Sequence, residues 1–362
     1  MNILRVSLFL ISLFCIFSSS SAHSQGSTIP RHYICYKTAQ PVKIDGKAEE
    51  LCWQKVSWTD DFVDILGAQG ATPRFRTRAK MVWDRDYFYV FAEIYEPHIW
   101  ANLSQRDATI YNDNDFEVFL DPDGDTHHYY EYEMNALNTQ WDLLLTKPYR
   151  DGGIPITAWN FDGMKSAVNV QGSLNNPADI DRKWSVEIAF PMKSMVDSMG
   201  TIPVKSGDQW RVNFSRVEWQ TLIENGRYIK VKNPQTGKPL PEDNWVWSPQ
   251  GVINMHCPDK WGFVQFSDLT AGSGAAIFRI DPKDAVKDEL RILYYAQKQF
   301  FAGHQKYAGS LADLSSIAPD LSNLKIKPVF KLTANGYEII APQPESVNLW
   351  HIDQAGRVWP DR

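Results

Sequence analysis

The sequence is short of cysteine, of surplus positive charge and of long apolar runs, and each shortage removes a class of function. Only 4 of the 362 residues are Cys. No Cys-x-x-Cys pair occurs, which excludes zinc knuckles and dithiol redox motifs. Lys and Arg total 37 against 43 Asp and Glu, a formal net charge of −6. Nucleic acid and anionic membrane surfaces both require a basic patch, so neither is expected as a partner. The one nearly unbroken apolar run, Val6 to Phe17, is too short to cross a bilayer comfortably. It follows a short basic start at Asn2 to Arg5 and leads through Ser18 to Ser21 to small residues at Ala22 and Ser24. That is the layout of a cleaved export signal over residues 1–24. An exported protein, periplasmic or secreted, is expected, with no membrane partner once the signal is gone. Cys15 lacks the small residue that precedes a lipidated Cys, so a lipoprotein is not expected. Cys35, Cys52 and Cys257 then remain, an odd number that leaves at least one thiol free. A Cys35–Cys52 bridge stays open, since spacing cannot decide it.

Aromatic residues, by contrast, are abundant. Trp alone numbers 14, more than a core needs, and the excess suits flat binding surfaces. Residues 35–268 read as short strands separated by Gly, Pro, Asn and Asp. Ala79 to Trp83, Tyr87 to Tyr95, Phe116 to Leu120, His128 to Asn135, Trp141 to Leu145, Trp184 to Phe190, Trp210 to Val217 and Gly262 to Phe266 are the clearest. Few helical periods intervene. The fold class expected is mostly β, an antiparallel β-sandwich. Two long Gly- and Pro-rich stretches, 147–180 and 220–250, are expected to be irregular loops that could wall a site. A linker over 269–280 follows, containing Thr270-Ala-Gly-Ser-Gly-Ala-Ala276. Residues 281–362 then form a small α+β domain. Asp281 is a good N-cap, Pro282 a good first residue, and Val286, Leu290, Leu293 and Phe300/Phe301 mark one helix face.

Several landmarks stand in a telling order: Lys43-Ile-Asp-Gly-Lys-Ala-Glu-Glu-Leu-Cys-Trp53, Val82-Trp-Asp-Arg-Asp-Tyr-Phe-Tyr-Val90, Asp115-Phe-Glu-Val-Phe-Leu-Asp121, Glu133-Met-Asn135, Trp184-Ser-Val-Glu-Ile-Ala-Phe-Pro191 and Pro258-Asp-Lys-Trp-Gly-Phe263. Together, over roughly residues 42–266, they resemble family 9 carbohydrate-binding modules. The resemblance implies a β-sandwich that binds sugars. Members studied as xylanase appendages clamp a terminal sugar between two Trp side chains, and the matching positions here are Tyr111 and Met255. Neither is Trp, which puts reducing-end recognition in doubt; Trp100 or Trp141 could substitute. The C-terminal segment Leu293 to Phe301 followed by Tyr307 to Leu314 weakly resembles the helix-to-loop passage of type IV pilin-like proteins. The plainer reading is an accessory packing domain.

The residue chemistry points the same way. Sugar rings offer flat C–H faces and paired hydroxyls, which aromatic planes, acids and amides hold. Tyr111, Glu117, Asn135 and His256 supply those types, with Met255, Trp100 and Trp141 beside them. Each has a plainer alternative: a core ring for Tyr111, a surface acid for Glu117, a turn cap for Asn135 and a structural imidazole for His256. Phe116, Val118 and Leu120 should face the core and Glu117 and Phe119 the other side. Asp121-Pro-Asp-Gly-Asp125 has oxygen ligands at alternate positions, so structural calcium on Asp121, Asp123 and Asp125 is the cofactor expectation; Pro-Asp-Gly is equally a common turn. The function expected is a non-catalytic carbohydrate-binding protein, with a carbohydrate ligand and no protein partner specified. The alternatives are a glycoside hydrolase using two of Glu117, Glu131, Glu133 and Glu187, and a haem-binding sandwich using Met134, Met255 and His256.

Overall fold

The computed structural model describes residues 30–197, 200–201, 204–344 and 346–361. The proposed signal, its cleavage point and Cys15 lie outside these residues.

The first unit is built from eleven principal strands. β1 (His32–Lys37) precedes a short helix α1 (Leu51–Lys55), and β2 (Thr77–Trp83) and β3 (Tyr87–Tyr95) form a hairpin. Its turn is tied by Asp84 Oδ1, which accepts from the amides of Asp86 at 2.7 Å and Tyr87 at 2.8 Å. Then come β4 (Asp115–Asp121), β5 (Tyr129–Asn135), β6 (Gln140–Leu145), β7 (Lys165–Gln171), β8 (Lys183–Pro191), β9 (Gln209–Glu218), β10 (Asp243–Val246) and β11 (Gly262–Thr270).

Hydrogen bonding runs continuously in the order β6-β5-β4-β9-β11-β1-β2-β3-β8-β7. Most pairs are antiparallel, but β1 is parallel to both its neighbours, β11 and β2. The sheet doubles over so that both halves share one core. Tyr132 on β5 meets Phe190 on β8 edge-on at 5.5 Å, and Phe88 on β3 meets Trp210 on β9 at 5.6 Å. This is a two-layer sandwich, with side chains alternating inward and outward along each strand. Phe116, Val118 and Leu120 on β4 point inward, as do Tyr130, Tyr132 and Met134 on β5.

Two expectations about loops are corrected. The stretch 147–180 contains β7, which pairs with β8 along its whole length. Its sequence, Lys-Ser-Ala-Val-Asn-Val-Gln, lacks a strong apolar alternation because it is a half-buried edge strand. The stretch 220–250 contains β10 and a hairpin, Thr221–Glu224 with Arg227–Lys230.

In the second unit the helix α2 (Pro282–His304) crosses a four-stranded antiparallel sheet of β12 (Val329–Leu332), β13 (Tyr337–Pro342), β14 (Leu349–Asp353) and β15 (Val358–Pro360). Asp281 caps the helix by accepting from the Lys283 amide at 3.0 Å, and Pro282 fills the first position. Val286, Leu290, Leu293 and Phe300 face the sheet; Phe301 is 37% exposed and lies at the edge. The chain between the units is pinned to the sandwich: His32 stacks on Phe278 at 4.1 Å, and Gln265 Nε2 donates to the Ile277 carbonyl at 3.0 Å. No helix among the described residues is long and apolar enough to cross a membrane.

Candidate functional site

The outward side chains of β9, β4, β5 and β6 form rows across the sheet. Strand register sets Ser215, Glu117, Glu133 and Trp141 side by side in one row. The next row holds Asn213, Phe119, Glu131 and Leu143. The β4, β5 and β6 members of these rows floor a cavity of about 410 Å³, within the size of small-molecule sites. Tyr111, Tyr149, Glu242 and the segment Ile253–His256 wall it. The site therefore lies on the outer face of one sheet, with loops as rim.

The rim is aromatic and open. Tyr111 is 43% exposed and Tyr149 44%. Tyr111 and Trp141 lie with ring centroids 6.3 Å apart and planes tilted by 35°. Tyr149 meets the His256 ring edge-on at 4.3 Å. The Trp219 indole donates to the Tyr111 carbonyl at 2.8 Å, and the Tyr111 amide donates to Glu133 Oε2 at 3.0 Å, so the ring is held by backbone anchors on both sides.

The floor is acidic and buried. Carboxylate oxygens of Asp115, Glu117 and Glu133 lie within 4.8 Å of one another, and all three residues are buried. Burial pushes the Glu117 carboxyl up to about 7. Burial, then the neighbouring carboxylates, push Asp115, Glu131 and Glu133 well above the ordinary carboxylate range. Burial lowers His256 to about 4, so it is neutral near pH 7, and its Nδ1 shares a hydrogen bond with the Tyr129 hydroxyl at 2.9 Å. These acids stand side by side on one sheet face.

Five of the residues singled out from sequence, Tyr111, Glu117, Trp141, Met255 and His256, line the cavity. Asn135 and Trp100 do not, and both expectations are corrected. Asn135 is fully buried, and its side chain is consumed by the β5–β6 turn: Oδ1 accepts from Leu137 and Thr139, and Nδ2 donates to the Leu103 carbonyl and Asp113. Trp100 is 4% exposed, inside the protein rather than on the rim. Of the three haem-ligand candidates, Met134 points into the core, on the opposite side of β5 from Met255 and His256. Glu131 and Glu133, weighed from sequence only as hydrolytic acids, belong to the floor. The alternation Tyr129-Tyr-Glu-Tyr-Glu-Met-Asn135 carries that signal, since odd positions share the face of Glu117. Tyr149 and Glu242 had no local signal.

The Asp121–Asp125 loop brings three carboxylates within 4.8 Å of one another. Its oxygens already have partners. Asp121 accepts from the amides of Gly124 and Thr126, both at 3.0 Å. Lys287 Nζ donates to the Asp123 carbonyl at 2.9 Å, Arg291 to the Gly124 carbonyl at 2.7 Å, and Arg357 to Asp125 Oδ2 at 3.1 Å. Three cations of the second unit thus dock against the same loop.

Residues 44–198 match the family described as carbohydrate family 9 binding domain-like. The chain is 31% identical over 159 residues to exoglucanase XynX of Acetivibrio thermocellus and, to the same extent, to endo-1,4-beta-xylanase A of Thermoanaerobacterium saccharolyticum. In both cases the match covers 44% of this chain and 12% of the relative, so the chain spans about an eighth of their length. Among solved structures, a family 9 module of Caldicellulosiruptor kristjanssonii, in complexes with cellotriose and with glucose, is similar over 68% of this chain and 100% of the module, at 16% identity and a TM-score of 0.40. The pilin-like resemblance of the second unit is not supported.

Proposed function

We propose that this chain is a non-catalytic carbohydrate-binding protein whose ligand sits on the outer face of β4, β5 and β6. The observation that carries the reading is the pairing of an exposed Tyr111 and a half-buried Trp141 with a floor of Glu117, Glu131 and Glu133. A pyranose ring stacks its C–H face on the aromatics and directs its hydroxyls to the acids, which accept hydrogen bonds when ionised and donate one when protonated. The family match over 44–198 supports the same ligand class. Tyr111 and Trp141 are tilted by 35° with ring centroids 6.3 Å apart, and Met255, at the position matching the second ring, lines the same cavity. This favours a ligand resting on one platform over a sugar held between two parallel planes. Binding is then weak to moderate, because sugars bury little apolar surface and exchange many water hydrogen bonds. An exported setting fits such a ligand and rests on the N-terminal signal reading.

Calorimetric titration of the folded chain with xylo-, cello- and manno-oligosaccharides tests the proposal. Heat with at least one series, lost on Trp141→Ala, supports it. No heat with any of them overturns it.

A further inference from the structure

Among the described residues, no cation answers the carboxyl groups on the floor of the cavity. Elsewhere among the described residues, buried acids are met by cations or by sets of N–H donors. Glu93 pairs with Arg78 and Lys183, Glu96 and Glu218 share Arg216, and Asp259 pairs with Arg150. Asp181 accepts from the amides of Ile99 and Ser173, and Glu187 from three donors. Asp115, Glu117 and Glu133 have no Lys or Arg partner among the described residues, and no Lys or Arg lines the cavity. Asp115 and Glu133 accept a single amide each, from Val217 at 3.2 Å and Tyr111 at 3.0 Å.

A second observation concerns single atoms. Asp115 Oδ2, on a residue with no exposure, has no hydrogen-bond partner, while the Ser215 hydroxyl, directly across the strand pair from Glu117 and on the same outward face, is turned to the Glu117 carboxyl. Glu131 Oε2, which belongs to the next row of the floor, is likewise buried and unpartnered, on a residue 5% exposed. Like-charged residues placed directly opposite on neighbouring strands destabilise a sheet, and Glu117 and Glu133 are such a pair. Three buried carboxyl groups within 4.8 Å of one another, with unpartnered oxygens on Asp115 and on the neighbouring Glu131, form an oxygen-only donor set. Such a set suits a hard divalent cation, not a soft one.

We propose that Asp115, Glu117 and Glu133 bind a hard divalent cation of the calcium and manganese class at the base of the cavity, with Ser215 and Glu131 as the nearest further oxygen donors. The site goes beyond the saccharide reading and does not depend on it. It is distinct from the Asp121–Asp125 loop, whose oxygens serve the second unit. An ion here would neutralise the floor and present a Lewis-acidic face to hydroxyl groups entering between Tyr111 and Trp141.

The full chain, stripped with chelator, is titrated with calcium chloride and with manganese chloride by calorimetry, and manganese is followed by its paramagnetic resonance. One site is expected, with affinity reduced at least tenfold by Glu117→Gln and by Glu133→Gln and unchanged by Asp123→Asn. Circular dichroism confirms that each variant is folded, and the two glutamine variants back each other. Absence of metal binding in the parent chain overturns the proposal. So does binding that survives both glutamine variants, or that is lost only in Asp123→Asn. Heat with glucosamine hydrochloride but with neither metal also overturns it, by assigning the floor to an ammonium group. Neutral-sugar binding is measured on the metal-free protein, so failure of the saccharide reading is separable from failure of this one.

Discussion

Replacing Glu187 by alanine tests why the sequence landmarks are spaced as they are. Its carboxylate lies on β8 and accepts from the amides of Asp45 at 2.9 Å and Gly46 at 3.0 Å and from the Trp53 indole at 2.8 Å. Three landmarks, the Ile-Asp-Gly turn, the Trp after it and the Glu of β8, thus meet at one buried group. Gly46 is required there, since it has φ 81° and an added Cβ would lie 2.8 Å from the Asn169 nitrogen. Alanine leaves three donors without an acceptor. Each unmade buried hydrogen bond costs about 1–3 kcal/mol, so the expected loss is about 3–9 kcal/mol against a typical total of about 5–15. Urea unfolding followed by Trp fluorescence measures it. Glu187→Gln keeps one acceptor oxygen and should lose less than alanine. A loss below about 1 kcal/mol for Glu187→Ala would refute the reasoning. The group also sets a pH dependence. Burial outweighs the three N–H donors and pushes the carboxyl up to about 7. The unfolded side chain releases its proton near pH 4.3 or so, roughly the ordinary glutamate value. Between those values the folded state binds more protons, so stability falls as pH rises through the window, and Glu187→Gln should lack that decline.

The remaining predictions concern the rim, the junction and the thiols. Trp141→Ala should weaken oligosaccharide binding about tenfold, the worth of one stacked ring, with the variant still folded by circular dichroism. Arg150→Ala should cost about 3 kcal/mol in urea unfolding, because it strands the buried Asp259 carboxylate 2.7 Å away. Asp259 is held down to about 2 by Arg150, Arg291 and Lys260 against the effect of burial. Its contribution is therefore full above about pH 4 and is lost as pH falls towards 2, which acid unfolding of parent and Asp259→Asn would show. Cys35, Cys52 and Cys257 are free and buried, so Ellman's reagent should find none of them before denaturant is added. Rapid reaction in the native state would contradict the packing.

Part of this architecture was legible in the chain. The period of two over Asp115–Asp121 correctly sends Phe116, Val118 and Leu120 inward and leaves Glu117 and Phe119 together outside. The Asp281 cap and Pro282 start of α2 follow from local chemistry alone. What escaped was whatever depends on distant partners. Nothing near Asn135 says that its amide will close a turn onto Leu103 and Asp113. Nothing near Trp100 separates a core indole from a rim one. The Asp121–Asp125 spacing suits a cation, and the cations it meets are side chains over 160 positions away in the case of Lys287 and Arg291.

Arg150 stands between Tyr149, on the cavity rim, and Asp151, which accepts from the Tyr294 hydroxyl of α2 at 2.6 Å. Its guanidinium also donates to the His256 carbonyl at 3.3 Å. The wall that would touch a ligand is therefore buttressed from behind by the second unit. A transplant of the sandwich alone, cut at residue 270, would leave that buttress behind and expose Arg211 and Asp259 to water. Anyone borrowing this module as a fusion tag should carry the whole chain to its last strand.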